Sequence, residues 1–335
     1  MRSFPTGKIP ADYLDRLLRS VECRDPRVVR GGCFGEDAAV IEFGGRYLLA
    51  KSDPITFATE RPGWYAVQVN ANDIAAMGGT CRWFLATLLL PEGSSDEAAV
   101  TAVFRDITEA CEELGVELVG GHTEVTHGLD RLLVAGHMLG EATRKTLCTK
   151  EMIQVGDLLL LTKGLAVEGT SLIARECCER LTPAFKPEML ERAAGFLCDP
   201  GISVVREAAI AVETGLVHAM HDPTEGGLSS ALYELASASN TGLVLDTDAV
   251  RIYPETGALC DFLGLDPLGL IASGALLIAC PKKGEPVIRT SIEKAGIPCA
   301  TIGEVVPAEQ GITEVKDGRR VPLRKFHRDE ICRLF

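Results

Sequence analysis

The order of elements in this 335-residue chain predicts an α+β protein of two domains. Two strand-like runs, 39–43 and 46–50, are joined by Gly44-Gly45, the dipeptide of a tight antiparallel hairpin. Strands and helices then interleave, but with several hairpin-like connections, which argues against one doubly wound parallel sheet. A polar stretch over 140–154 divides the chain into domains 1–150 and 151–335, and 46% apolar residues supply a core for each.

Leu14, Leu17, Leu18 and Val21 recur with helical spacing behind Pro10, so the chain opens on an amphipathic helix. The hairpin follows, with Asp53 just beyond the end of its second strand. A helix over 64–77 is closed by Gly78-Gly79, and a buried strand over 83–90 is closed by Pro91. Asp96 caps a helix whose apolar positions run from Val100 to Leu114 and stop at Gly115. A strand over 116–119 leads into a turn at Gly120-Gly121, and 131–139 is another strand. In the second half, a strand over 157–162 precedes a helix starting near Glu168, Gly169 and Thr170, whose N-terminal amides suit an anion. Helices over 202–212 and 227–238 flank a strand over 216–220, and strands over 275–280 and 300–306 flank a helix over 285–295. No internal repeat or low-complexity segment is present.

The formal charge of -13, without Lys/Arg clusters, argues against nucleic acid as a partner. Twelve cysteines are scattered without a C-x-x-C pair, and no signal peptide precedes them, which fits reduced thiols in a cytoplasmic protein. No apolar run reaches the ~20 residues of a membrane span.

The informative residues are acidic ones set among glycines and apolar side chains: Glu36, Asp37, Asp53, Asp73, Glu124 and Asp222. Each alone is also readable as a turn or cap residue. Two carboxylates about 4 Å apart repel by roughly 4 kcal/mol at an effective dielectric near 20, so several converging ones call for a cation. An all-oxygen set suits Mg²⁺ carrying nucleotide phosphates. Glu36, Asp37, Asp53, Asp73 and Asp222 are therefore candidate metal ligands. His122 and Glu124, after the Gly-Gly turn, are candidate catalytic groups, with His122 read either as an acid/base, a phosphate donor or a plain turn residue. Lys51 and Lys163 are candidate phosphate partners near strand ends, and Gly226-Gly227 after Asp222 permits close backbone approach. Gly164, Gly169 and Thr170 form no Walker A loop, because no G-K-[ST] follows the glycines. Cys33 stands open as a reactive thiol.

Taken in order, Gly35-Glu36-Asp37-Ala38-Ala39-Val40, Ser52-Asp53, Asn72-Asp73-Ile74-Ala75-Ala76-Met77-Gly78, Gly120-Gly121-His122-Thr123-Glu124 and Asp222-Pro223-Thr224-Glu225-Gly226-Gly227 resemble a superfamily. Its members are aminoimidazole ribonucleotide (AIR) synthetase, selenophosphate synthetase, thiamine-monophosphate kinase and hydrogenase maturation protein E. The resemblance implies an N-terminal α+β domain that dimerises through its sheet and a C-terminal α/β domain. It also implies ATP with Mg²⁺ in a cleft, with Lys51, Asp73, Gly120, Gly121, Thr123, Gly164, Gly169, Thr170, Gly226 and Gly227 as cofactor-binding candidates. Asp222-Pro223-Thr224 followed by Gly226-Gly227 looks closest to the maturation protein, which dehydrates a carboxamide carried on its C-terminal cysteine. Here Cys332 stands three residues inside the end. His122 replaces an aspartate of that protein and is similar to the Gly-Gly-His of selenophosphate synthetases. The implied activity is ATP-dependent phosphorylation of an amide, thioamide or similar oxygen on a small-molecule or protein-borne acceptor, with a hydrogenase maturation factor among the possible partners. A small-molecule kinase and a non-catalytic ATP-binding assembly partner are the alternatives.

Overall fold

The computed structural model describes residues 4, 7–33, 35–56, 58 and 60–334. They fall into two units. The smaller holds residues 24–31 and 37–147, and the larger holds the described residues up to 23 with 32–36 and 148–334. The main division thus falls at 147/148, near the boundary expected at residue 150, and the described residues up to 23 and within 32–36 also group with the larger unit. Close packing explains part of it, since a Cβ on Gly35 would lie only 2.8 Å from the Glu234 carbonyl oxygen.

α1 (Ala11–Arg19) opens the chain in the larger unit, shorter than its apolar spacing suggested, and Val21 lies beyond it, exposed. The smaller unit is built from β1 (Val28–Arg30), β2 (Ala39–Phe43), β3 (Arg46–Ile55), α2 (Pro62–Ala76), β4 (Thr80–Pro91), α3 (Glu97–Leu114), β5 (Glu117–Thr126) and β6 (Leu133–Ala142). Its six strands are ordered β1-β2-β3-β6-β4-β5. Gly44 and Gly45, at φ 61° and 82°, make the two-residue turn that sets Phe43 opposite Arg46. β6 alternates half-buried and buried along its length, so one face of the sheet is core. α2 lies on β3 and β6 and is buried at every position, which is why its sequence is apolar almost all round. Asp96 caps α3 by accepting the Ala99 amide at 2.8 Å, and Gly115 closes it at φ 64°. α3 carries the chain across to β5, whose pairing with β4 is the parallel one in this sheet.

Two expectations change here. β3 does not stop at Ala50 but runs through Asp53, which pairs with Gly136 of β6, so Asp53 is inside a strand rather than past one. Gly120-Gly121 is not a turn either; β5 continues through both glycines alongside Leu85 and Ala86. A Cβ on Gly121 would lie 1.9 Å from the Ala86 carbonyl oxygen, so sheet packing alone demands glycine there.

The larger unit contains β7 (Leu158–Thr162), α4 (Val167–Glu176), α5 (Cys178–Leu181), α6 (Pro187–Ala194), α7 (Val205–Glu213), β8 (Ala219–His221), α8 (Gly227–Ser239), β9 (Gly242–Asp246), α9 (Pro254–Leu263), β10 (Leu277–Cys280), α10 (Glu285–Lys294), β11 (Cys299–Val306), β12 (Ile312–Lys316) and β13 (Arg319–Pro322). Its seven strands are ordered β13-β12-β9-β11-β7-β10-β8. The pairings are antiparallel except β12 with β9. The helical connection from β10 to β11 skips one position, which β7 fills in the opposite direction, a split β-α-β arrangement. β1, α5, α6, β9, α9, β12 and β13 escaped the sequence reading: the strands are three to five residues long, α5 and α6 span only four and eight residues, and α9 contains Gly257 and shows little amphipathic contrast.

Candidate functional site

β3 and α2 build the charged centre of the smaller unit. Leu49, Lys51, Asp53 and Ile55 alternate along β3, so Lys51 and Asp53 share a face. Asp73 comes from the last turn of α2 and is 4% exposed. The Lys51 Nζ lies 3.0 Å from Asp73 Oδ1 and 3.3 Å from Asp53 Oδ2. Burial disfavours the Lys51 charge, but the carboxylates of Asp73, Asp53 and Asp37 outweigh it and hold the ammonium above the ordinary lysine range. Lys51 is therefore part of a part-buried charge network with Asp53 and Asp73.

Asn70, one turn before Asp73, had no assigned role, yet it positions the site. Its Oδ1 accepts the Asp53 amide at 2.9 Å, and its Nδ2 donates to the Asp53 carbonyl at 3.2 Å and to Ala66 O at 2.8 Å. The available signal was a polar residue inside an apolar helical run, which in a buried helix must find hydrogen-bond partners.

The other candidates of this unit lie elsewhere on the sheet. His122 Nε2 is 3.0 Å from Glu124 Oε2, both exposed on β5, with Thr123 between them. The register runs Asp53, Gly136, Ala86, Gly121 across four adjacent strands. Gly121 is thus three strand spacings, roughly 14 Å, from Asp53. Within one chain the structure does not bring His122 and Glu124 to the Asp53–Asp73 centre.

In the larger unit, Glu36 is taken up by Lys150, whose backbone amide donates to Oε1 at 3.2 Å and whose Nζ lies 3.7 Å from Oε2. Glu36 thus has a buried cationic partner in Lys150. Asp222 is 1% exposed on the loop between β8 and α8. His221 beside it, to which the sequence assigned nothing, has Nε2 at 2.9 Å from Glu234 Oε2 of α8. Lys8 reaches the same loop, with its amide on Glu225 at 3.2 Å and its Nζ on Thr224 Oγ1 at 3.1 Å. Asp329, near the C-terminus, accepts amides from Gly226, Ile271 (3.2 Å) and Ile331 (2.7 Å). Gly227, at φ 63°, must be glycine because a Cβ would lie 2.6 Å from Leu268 O and 2.7 Å from Leu270 O.

The start of α4 is closed to an anion. The amide of Glu168 donates to Ser273 O and that of Gly169 to Ile271 O, and the Thr170 hydroxyl bonds Ala166 O and Thr256. Gly164 is packed against Tyr253 and Gly169 against Leu270, so these glycines serve close packing. Lys163 is likewise committed, with its Nζ on the carbonyls of Gly201 and Ser203 and 2.9 Å from Glu207. Burial pushes the Glu168 carboxyl up to about 7, reinforced by Asp329, Glu225 and Asp222 against a hydrogen bond from Ser273. Asp329 is pushed up to about 6 by burial, despite the amides that favour its charged form. Cys332 is 3% exposed, its thiol raised by burial, while Cys33 is exposed. No helix among the described residues is long and apolar enough to cross a membrane.

A two-unit α+β fold that sets acidic side chains on β3, on α2 and on the loop before α8 defines the class of this protein. The chain belongs to the AIR synthase-related family: the N-terminal domain model of that family matches residues 35–142 and the C-terminal domain model residues 154–316. It is 29% identical to carbamoyl dehydratase HypE of Rhodobacter capsulatus over 82% of this chain and 79% of that protein. Thiamine-monophosphate kinase of Pyrococcus horikoshii is 28% identical over 74% and 77%, respectively. Among solved structures, hydrogenase maturation protein HypE in complex with ATP shares the fold with a TM-score of 0.73 and 23% identity, covering 97% of this chain and all of that one.

Proposed function

We propose that this protein is an ATP- and Mg²⁺-dependent enzyme that activates an amide, thioamide or similar oxygen by phosphoryl transfer, as its relation to carbamoyl dehydratase HypE suggests. The observation that carries this reading is the part-buried centre of Lys51, Asp53 and Asp73, anchored by Asn70. A charge network held this rigidly suits a site that must receive phosphate oxygens in one geometry. Asp37, Asp53 and Asp73 offer the all-oxygen donor set a hard cation prefers, and they would hold Mg²⁺. Asp222, on its own loop in the larger unit, carries the same proposed role, with Gly226 and Gly227 behind it. When bound, Mg²⁺ neutralises charge that develops on the transferred phosphoryl group.

The protein is further proposed to act as a cytoplasmic homodimer. β5 is an edge strand with Val119 and Val125 exposed, the kind of edge that natural proteins cover. His122 and Glu124 lie on that strand and would serve the acceptor at the face between copies. All twelve cysteines are free, as a reducing compartment would leave them.

The first experiment is ADP and phosphate release from Mg-ATP, alone and with thiamine monophosphate, selenide or the chain carbamoylated at Cys332. Asp73→Asn is expected to cut release by on the order of 100-fold or more; retained turnover would sink the assignment. Because Cys332 is buried, a carboxamide there demands opening of the C-terminal segment before it reacts. The similarity to thiamine-monophosphate kinase favours one second reading, a small-molecule kinase, which a stable phosphorylated product would reveal. Tight ATP binding without release across the panel would favour a non-catalytic partner in assembly.

A further inference from the structure

We infer that Lys51 is a built-in cation of the smaller unit's acidic centre, permanently occupying the position between Asp53 and Asp73 that a second divalent ion would otherwise take. The inference deepens the proposed function and rests on its reading of these carboxylates as Mg²⁺ ligands.

β3 delivers Lys51 and Asp53 to one face, and α2 delivers Asp73 to the same point. The Lys51 nitrogen therefore sits where two carboxylates converge, 3.3 Å from one and 3.0 Å from the other. A metal ion bridging two carboxylates occupies that kind of point. The backbones that carry both carboxylates are held: Asn70 grips the amide and the carbonyl of Asp53, and Asp73 sits in a wholly buried helix. The Lys51 side chain is only 20% exposed, so its four-carbon stem is packed rather than swinging in water. The ammonium offsets negative charge at the point where the two carboxylates converge, which weakens that point for a further cation. The rival account makes Lys51 a placeholder that swings out when Mg²⁺ enters. The two differ in how many ions the site holds and in whether metal exposes the amine.

The test counts Mn²⁺ bound per full-length chain, by electron paramagnetic resonance and without nucleotide, in wild type, Lys51→Met and Lys51→Arg. The inference expects Lys51→Met to bind one more ion than wild type, Lys51→Arg to match wild type, and Mg²⁺ to raise the Tm of Lys51→Met by more than that of wild type. Equal counts in wild type and Lys51→Met overturn it. Should Lys51→Met fail to fold, wild type itself answers through acetic anhydride labelling of Lys51, read by mass spectrometry with and without saturating Mg²⁺. Labelling that stays unchanged or falls supports the built-in cation, and labelling that rises with Mg²⁺ overturns it. None of these readouts involves ATP, so failure here leaves the turnover assay to judge the enzymatic reading independently.

Discussion

Asn70 shows how one polar side chain decides the geometry of its neighbours. Removing it in Asn70→Ala leaves the Asp53 amide and carbonyl without their side-chain partner in a part-buried setting, at a cost of about 1–3 kcal/mol. Urea denaturation would measure that loss, and turnover should fall with it because Asp53 is released. Glu168 gives a pH prediction. Its folded carboxyl titrates near 7 against an ordinary 4.5, so between those values the folded chain keeps a proton that the unfolded chain has lost. Stability from this group is therefore lost as pH rises from about 4.5 to about 7, by on the order of 3 kcal/mol, and is level above that. Asp329 acts in the same direction between its ordinary 3.8 and about 6. Glu168→Gln should flatten the fall in Tm between pH 5 and 7; an unchanged slope would mean the carboxyl is not protonated in the fold.

β5 illustrates how an element can be misread from its punctuation. Gly120-Gly121 reads as a turn, yet it is the one stretch where β5 can lie flat against the β4 backbone. Gly121→Ala would drive a methyl group into the Ala86 carbonyl, and its relief requires β5 to lift from β4. Overpacking of this kind typically costs 1–3 kcal/mol, and contact with backbone puts it at the upper end or beyond. Hydrogen exchange should show the loss of protection confined first to 117–126, whereas uniform weakening of the whole unit would contradict this account. β3 errs the opposite way: the apolar pattern ends at Ala50, but backbone pairing with β6 carries the strand to Ile55. Side-chain pattern reports burial, and a strand that turns charged near its end goes on pairing without it.

At the scale of the molecule, the unpaired edge of β5 predicts association. Wild type should elute with the light-scattering mass of two chains, and Val125→Lys, which puts charge on that edge, should shift it toward one. A wild-type mass of one chain at micromolar concentration would remove the dimer from the proposed function. The net charge of -13 further predicts no binding to DNA at physiological salt, checked by gel shift.

Local rules made much of this protein legible from its sequence: the Gly44-Gly45 hairpin, the capped α3, the apolar α2, the two-unit α+β class, and the acidic residues that carry its family resemblance. Those features depend on neighbours within a few residues, where propensity, capping and periodicity act directly. Only the tertiary structure decided which of the acids meet. It set Lys51 between Asp53 and Asp73, turned Glu36 to Lys150, enclosed Gly169 and Thr170, and put three strand spacings between Asp53 and the row of Gly121. Each of these follows from pairings between residues far apart in the chain, such as β3 with β6 or Glu36 with Lys150, and such long-range partners leave no mark on local sequence.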